Sequence, residues 1–184
     1  MTGRPGGHCH TMAPTSPPSS ARMLAIYLRH HAAASRGGLD LFKRSSRSQL
    51  SPEARRQLVA LADEVNEDRQ RLLEILRRLN IRRPRAAEVL VGVAETLARF
   101  KPNGTLIRRS PLSDVIELEA LSTAVEAKRL GWVTLRLVGE RDGRLDVHEL
   151  DVLINRAAGQ QDRLEDLRRQ AVAGSLVAMA GMTH

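Results

Sequence analysis

The chain has 184 residues, of which 42% are hydrophobic and 2% aromatic, and it carries a net charge of +8. This length accommodates one domain with a full core, and a core that must consist of leucine, valine and alanine favours packed helices over sheets. Because 26 of the 29 basic residues are arginine, a skew that codon usage in a GC-rich genome produces by itself, the positive charge alone does not indicate a nucleic-acid partner.

The N-terminal segment and the single cysteine bear on the compartment. Cys9 has no second cysteine with which to form an intramolecular disulfide, so an oxidising compartment is not implied. No apolar run is long enough to span a bilayer, and no signal-peptide segment is present. We therefore expect a soluble, cytoplasmic protein without a membrane partner. Residues 1–20 are expected to be a disordered leader, although His8, Cys9 and His10 within it could bind a soft metal ion.

Apolar residues at three- and four-residue spacing predict a series of helices. The first spans about residues 21–43, has small residues in its middle, and is followed by the polar segment KRSSRSQ, which we interpret as a connection. The second begins at Ser51, where Pro52 follows as a typical first helical residue, and continues to Leu79. A shorter helix is predicted over residues 84–99.

Two further long helices follow. One begins at Ser110, again with proline as the next residue, and extends to Val138. Its predicted buried stripe includes Leu112, Val115, Leu130 and Leu137. The other begins at Asp146, which together with Glu149 forms the sequence pattern of a capping box, and extends to about residue 172. We find no strand alternation of useful length and no sequence repeat.

These elements predict an all-α fold. The predicted domain covers residues 21–175 and is an up-and-down four-helix bundle, in which the fifth, shorter helix and the loop after it form a long crossover. Residues 176–184 are expected to form a loosely ordered tail.

Each long helix interrupts its apolar stripe with polar residues near its midpoint. Because midpoints face one another in a bundle, we expect these residues to meet in one buried layer, where carboxylates must be neutralised by protons, by histidine or arginine, or by a metal ion. The alternative is a helical phase that places some of the acids on the surface, paired with arginines. The residues in order are His31, Glu64, Asp68, Glu119, Glu126, Gln160 and Gln161.

The helix order and the inward acids resemble the ferritin-like superfamily, in which carboxylates and histidines from four helices hold two metal ions. The segments HHAAASRGGLDLF and SPLSDVIELEAL are similar to uncharacterised ferritin-like proteins of actinobacteria. The two Glu-x-x-His motifs of a working di-iron site are absent. We therefore expect no cofactor, with Fe or Mn as the alternative. The ligands that the resemblance implies are Glu119, Glu126, Glu64, Asp68 and His31.

Three functions follow from these observations. Since the chain has no nucleophile constellation and no phosphate-binding glycine loop, we expect a non-catalytic helical-bundle protein that acts by protein interaction or self-association, with the small-residue face of the first helix as a possible seam. A metal-binding oxidoreductase or storage protein is the first alternative, and a nucleic-acid- or ribosome-associated protein is the second. The basic patch for the latter comprises Arg77, Arg78, Arg82, Arg83 and Arg85, with Arg108 and Arg109 nearby. The scarcity of aromatic residues for base stacking argues against it.

Overall fold

The computed structural model describes residues 19–84 and 111–177, and these ranges are all-helical, without strands. The prediction of an all-α helical bundle is therefore confirmed. No helix in the described ranges is long and apolar enough to cross a membrane. The helices are α1, Ser20–Ser48, α2, Pro52–Arg78, α3, Pro111–Gly139, and α4, Val147–Val172, which is followed by a π-helical turn, Ala173–Val177.

Two of the predicted helix starts are confirmed by their hydrogen bonds. The Ser51 hydroxyl accepts from the backbone N–H of Ala54 at 3.3 Å, and the Asp146 carboxylate accepts from the N–H groups of His148 and Glu149 at 2.9 and 3.2 Å. Each side chain thus satisfies donors of the first turn that have no partner within the helix.

Several predicted features lie outside the described residues. They are residues 1–18 of the predicted leader, residues 85–99 of the predicted shorter helix, the helix start at Ser110, and residues 178–184 of the predicted tail.

Helix α1 is longer than predicted, because the serine-rich segment KRSSRSQ continues the helix to Ser48. Ser45 and Ser46 are buried, and the hydroxyl of Ser48 donates to Glu117 Oε2 of α3 at 2.9 Å. The side-chain amide of Gln49 donates to the same oxygen at 3.2 Å. The prediction of a connection was wrong because contacts with α3, which the local sequence does not reveal, hold these polar residues in a helix.

Helices α1 and α3 are neighbours that run in opposite directions. Near the start of α1, the Tyr27 hydroxyl donates to Thr134 Oγ1, near the end of α3, at 3.1 Å. At the other end of α1, Ser48 contacts Glu117 in the first turns of α3. The two helices are therefore antiparallel along their whole length.

Helices α2 and α4 are also antiparallel neighbours, since Glu64 contacts Arg163 while Arg78 contacts Glu149. Each also forms an antiparallel pair with the helix that precedes it, α2 with α1 and α4 with α3. It follows that α2 and α3 lie at opposite corners of the bundle and run in the same direction. The end of α2 and the start of α3 are therefore at opposite ends of the bundle, so residues 79–110 connect one end to the other.

The buried stripe of α3 differs from the predicted one. Leu112, Leu130 and Leu137 were predicted to be buried, but they are 40%, 51% and 58% exposed. Apolar side chains lie on several faces of α3, so the sequence contains more than one possible stripe. The inward positions instead alternate at three- and four-residue spacing, as in coiled coils. They are Leu118, Leu121, Val125, Lys128, Trp132 and Leu135.

The apolar core has two halves. On α2 they meet between Val65 and Leu72, and on α3 between Val125 and Trp132. The position between each pair is occupied by a charged residue, Asp68 on α2 and Lys128 on α3, so a polar layer separates the two halves.

Gly131 allows α3 to approach α1 closely, and this contact can be tested. A Cβ atom at position 131 would lie 3.1 Å from Cε1 and Nδ1 of His31, whereas a Cβ at Gly159 in α4 would have no heavy atom within 4 Å. Alanine is favoured over glycine inside a helix by about 1 kcal/mol. We expect Gly159→Ala to raise the free energy of unfolding by about that amount and Gly131→Ala to raise it less or to lower it, as measured by urea unfolding. Equal gains would show that His31 does not constrain the α1–α3 distance.

Candidate functional site

A fully buried carboxylate lies at the centre of the bundle. The Asp68 side chain has 0% of its surface exposed and is bonded to Lys128 of α3 and to Arg156 of α4. The side-chain amide of Gln160, also on α4, donates to Asp68 Oδ2 at 3.2 Å. Two cations and one amide from other helices thus compensate the cost of burying this charge. The prediction that Asp68 and Gln160 are buried is confirmed.

Lys128 is the cation that links α3 to this layer. Its ammonium group donates to Asp68 and to the Gln160 side-chain oxygen, and its side chain is 17% exposed. Burial lowers the pKa of Lys128, while the adjacent Asp68 carboxylate acts in the opposite direction. The contact with Asp68 therefore offsets part of the cost of burying the ammonium group.

The layer continues to the surface along α2 and α4. Arg163 donates to Glu64 Oε1 at 2.8 Å, and the Gln160 amide donates to Glu64 Oε2 at 3.2 Å. The hydrogen bond from Arg163 is the main cause that holds the pKa of Glu64 below its ordinary value. Arg156 also contacts Glu67 at 3.0 Å. Glu64, Glu67 and Asp68 of α2 are thus paired with arginines of α4. Arginine was one of the groups expected to neutralise the inward carboxylates, and a metal ion was another.

Glu119 and Glu126 do not belong to the buried layer, and the prediction that they point inward was wrong. Glu119 is 56% exposed, with Arg168 at 3.9 Å. Glu126 is 41% exposed and accepts two hydrogen bonds from Arg129, at 2.7 and 2.8 Å, which lower its pKa. The cause is the helical phase of α3, because the inward position near the middle of this helix belongs to Lys128.

His31 lies on α1 beside the layer, half-buried, with its ring centroid 4.5 Å from that of Tyr27. Burial lowers its pKa, and the neighbouring His30 adds to this effect, so the neutral imidazole is favoured. Of the five predicted metal ligands, the structure joins only Glu64 and Asp68, through Gln160. No three His, Cys, Asp or Glu side chains in residues 19–84 and 111–177 are grouped to hold a metal ion.

The predicted basic patch lies partly within the described ranges. Arg77 and Arg78 form the last turn of α2, Arg82 and Arg83 follow it, and all four are exposed. Arg78 donates to Glu149 at 2.6 Å. Arg85, Arg108 and Arg109 lie outside the described residues. The role of this patch in nucleic-acid binding stays a prediction.

A cavity of about 360 Å³ lies between α1, α2 and α3, next to the polar layer. Small residues of α1 and α3 face each other across it, and a Cβ at Gly38 would lie 4.0 Å from Cβ of Ala124. The face of α1 proposed as a seam for another protein therefore points, at Gly38, toward α3 of the same chain. The volume is within the range of small-molecule sites. The small wall residues are Ala34, Gly37, Gly38, Ala120, Ala124, Ala127 and Gly131.

The polar residues of the cavity are concentrated toward one end. Lys128, Asp68, Arg69 and Trp132 line this end, with Tyr27, His30 and His31 near them, whereas Ser35 and Thr123 line the remainder. Among the described residues, the indole Nε1 of Trp132 and the Nε of Arg69 are buried donors for which no hydrogen-bond acceptor is present. The apolar end is lined by Leu41, Phe42, Val65, Ala120, Ala124 and Val125.

Sequence reasoning missed three residues of this site, namely Lys128, Arg156 and Arg69. A signal for Lys128 was present, because it fills the gap between Val125 and Trp132 in the three- and four-residue spacing of α3. Arg69 and Arg156 carry no such signal. Arg69 follows the inward residue Asp68, Arg156 precedes the inward residue Ala157, and nothing distinguishes them from the other arginines of the chain.

No protein-family model matches the chain, and no curated protein or solved structure matches it either. The candidate site is therefore defined by its geometry, as a buried ionic layer with an adjoining cavity.

The energetic role of the buried layer can be tested at Asp68. Asp68→Ala would leave Lys128 without a carboxylate and Arg156 with only the exposed Glu67, so we expect the free energy of unfolding to fall by about 3–5 kcal/mol. Glu165→Ala removes a carboxylate that pairs with two arginines of its own helix at the surface, and we expect it to lower the free energy of unfolding far less, because exposed ion pairs contribute little. Urea unfolding followed by circular dichroism measures both.

A further variant separates the buried charge from the buried volume. In Asp68→Leu/Lys128→Met both charges are replaced by apolar groups, and we expect it to be more stable than Asp68→Ala. If Asp68→Ala cost no more than Glu165→Ala, the ionic layer would not be an important interaction in the fold.

Proposed function

We propose that this protein is a non-catalytic helical bundle that functions by binding, and that a small molecule occupies the cavity between α1, α2 and α3. The observation that carries this proposal is the cavity itself, about 360 Å³ in volume. Its walls are mostly apolar, and its charged side chains, Asp68, Arg69 and Lys128, lie toward one end, a combination that is usual in ligand sites.

The non-catalytic character is supported by the partners of the polar layer. Asp68 is bonded to two cations, and Glu64 is bonded to Arg163 and Gln160. A general acid or base must be able to exchange a proton with a substrate. Carboxylates held in this way by cations serve instead to join helices.

We also propose that the bundle is of the ferritin-like type. The support is its helix order, in which α2 and α3 are parallel at opposite corners and one long connection joins them. Ferritin-like folds have one such crossover. Metal binding by this fold depends on inward acids and histidines, and here the residues that α3 and α4 place beside Asp68 are Lys128 and Gln160.

Occupation of the cavity can be measured with octan-1-ol as the probe. Trp132 is the only tryptophan of the chain and lines the cavity, so its fluorescence reports on binding directly. We expect octan-1-ol to change this fluorescence in a saturable manner and to raise the melting temperature, because a ligand that binds only the folded state stabilises it.

A variant that fills the cavity provides the control. Ala124→Leu adds apolar volume within the cavity and should abolish the fluorescence response while leaving the fold intact. Ala158→Leu, on the exposed face of α4, adds the same volume elsewhere and should respond as the natural chain does. An equal response in the two variants would place the probe outside the cavity and contradict the proposal.

Self-association is a second candidate, and it is favoured by exposed apolar side chains on the two helices joined by the Tyr27–Thr134 hydrogen bond. Met23 and Ile26 of α1 are 52% and 58% exposed, and Leu130 and Leu137 of α3 are 51% and 58% exposed. Exposed apolar side chains that lie together on a surface mark interaction sites. A second copy of the chain could bury them.

Sedimentation equilibrium tests this candidate. We expect a dimer, and we expect Leu130→Glu/Leu137→Glu to be monomeric because burying two carboxylates opposes association. Val59→Glu, at a 51% exposed position of α2, is the matched control and should remain dimeric. A natural chain that is monomeric at high concentration would remove this candidate without affecting the cavity proposal.

A further inference from the structure

Four polar residues of the cavity, Asp68, Arg69, Lys128 and Trp132, lie within about one helical turn of the same level of the bundle. Gly131 is in close contact with His31 of α1, so Trp132, the next residue, lies at that level too. Lys128, one turn earlier on α3, contacts Asp68, whose neighbour is Arg69. The same cavity extends along α1 from His31 to Phe42, a distance of about 16 Å at 1.5 Å per residue.

The unsatisfied groups at this level are donors. Trp132 is 3% exposed, and its Nε1–H has no acceptor within residues 19–84 and 111–177. The Nε of Arg69 is likewise buried and has no acceptor in these ranges. Two other unpaired buried atoms, in Ser45 and Arg156, belong to residues that do not line the cavity. An acceptor brought by a ligand would therefore complete hydrogen bonds that the described part of the chain leaves open.

The charge at this end is positive. Arg69 forms no ion pair with a described residue, and the carboxylate of Asp68 is already shared by Lys128 and Arg156. Partial burial is the largest cause that lowers the pKa of Arg69. The nearby cations Arg36 and Arg83 lower it further, whereas Asp40 raises it. An arginine nevertheless stays protonated in proteins, so a ligand at this end gains most if it is an anion.

From this arrangement we propose that the cavity binds an aliphatic carboxylate. The carboxylate accepts from Trp132 and Arg69, and the chain extends past Ala124 toward Phe42. A planar carboxylate suits the fork of an arginine, and alanine, glycine, leucine and phenylalanine walls suit an alkyl chain. This inference rests on the proposed function, since it names the chemical class of the molecule that occupies the same cavity.

Isothermal titration calorimetry with three probes of equal chain length tests the proposal on the full chain. We expect octanoate to bind at least about tenfold more tightly than octan-1-ol, and octylamine to bind most weakly. Equal affinities for octanoate and octan-1-ol would overturn the carboxylate assignment and leave cavity binding intact. Tightest binding of octylamine would assign the head-group site to Asp68 instead. No binding of any probe would overturn both this inference and the proposed function.

Two variants test the assigned head-group contacts. Arg69→Met keeps the apolar stem and removes the charge, and Trp132→Phe keeps an aromatic ring and removes the N–H. We expect each to weaken octanoate binding by about tenfold and to leave the affinity for octan-1-ol unchanged. Arg71→Met is the matched control, because Arg71 lies on the same helix but is 55% exposed and paired with Glu74. If Arg71→Met weakened octanoate binding as much as Arg69→Met, the effect would be general electrostatics and the assignment would be wrong.

Discussion

The burial of Asp68 is the constraint on which the rest of the bundle depends. Its partners come from α3 and α4, so three helices must meet at one level for the charge to be compensated. Sliding a helix by one turn, about 5.4 Å, would exchange one leucine for another in the apolar layers, but it would separate Asp68 from Lys128. Breaking a buried pair is far more costly than repacking apolar side chains. The ionic layer therefore fixes the relative heights of the helices, much as a single polar residue fixes the register of a coiled coil.

The cavity follows from how α1 is attached to this frame. At its two ends α1 is joined to α3 by hydrogen bonds, from Tyr27 to Thr134 and from Ser48 to Glu117. Between these ends His31 packs closely against Gly131, and many of the other residues of α1 and α3 that line the cavity are alanines and glycines, whose side chains occupy little space. Close packing is the normal state of a protein interior, and the small side chains of these residues account for the departure from it.

The accuracy of sequence reasoning differed between helices for a physical reason. Helix α2 has a clear Ser-Pro start and charged residues on both sides of a narrow apolar stripe, so its start at Ser51 and the burial of Asp68 were predicted correctly. Helix α3 is apolar on several faces, and a stripe through Leu130 was chosen although that residue is exposed. The partners of Asp68 could not be predicted, because pairing depends on which helices are neighbours and at what height. The extension of α1 to Ser48 likewise depends on acceptors that α3 provides.

The polar groups inside the bundle fall into two kinds, and the difference separates structure from binding. Asp68 and Gln160 have their hydrogen bonds made within the protein, and they join helices. Trp132 and Arg69 present buried donors that find no acceptor in the part of the chain that the structure describes, and both line the cavity. A ligand gains little binding free energy from polar groups whose hydrogen bonds are already made, since it must first replace an existing partner. It gains most where the protein has desolvated a donor and left it unpaired, so the side of the cavity that carries Trp132 and Arg69 is where recognition of a head group should occur.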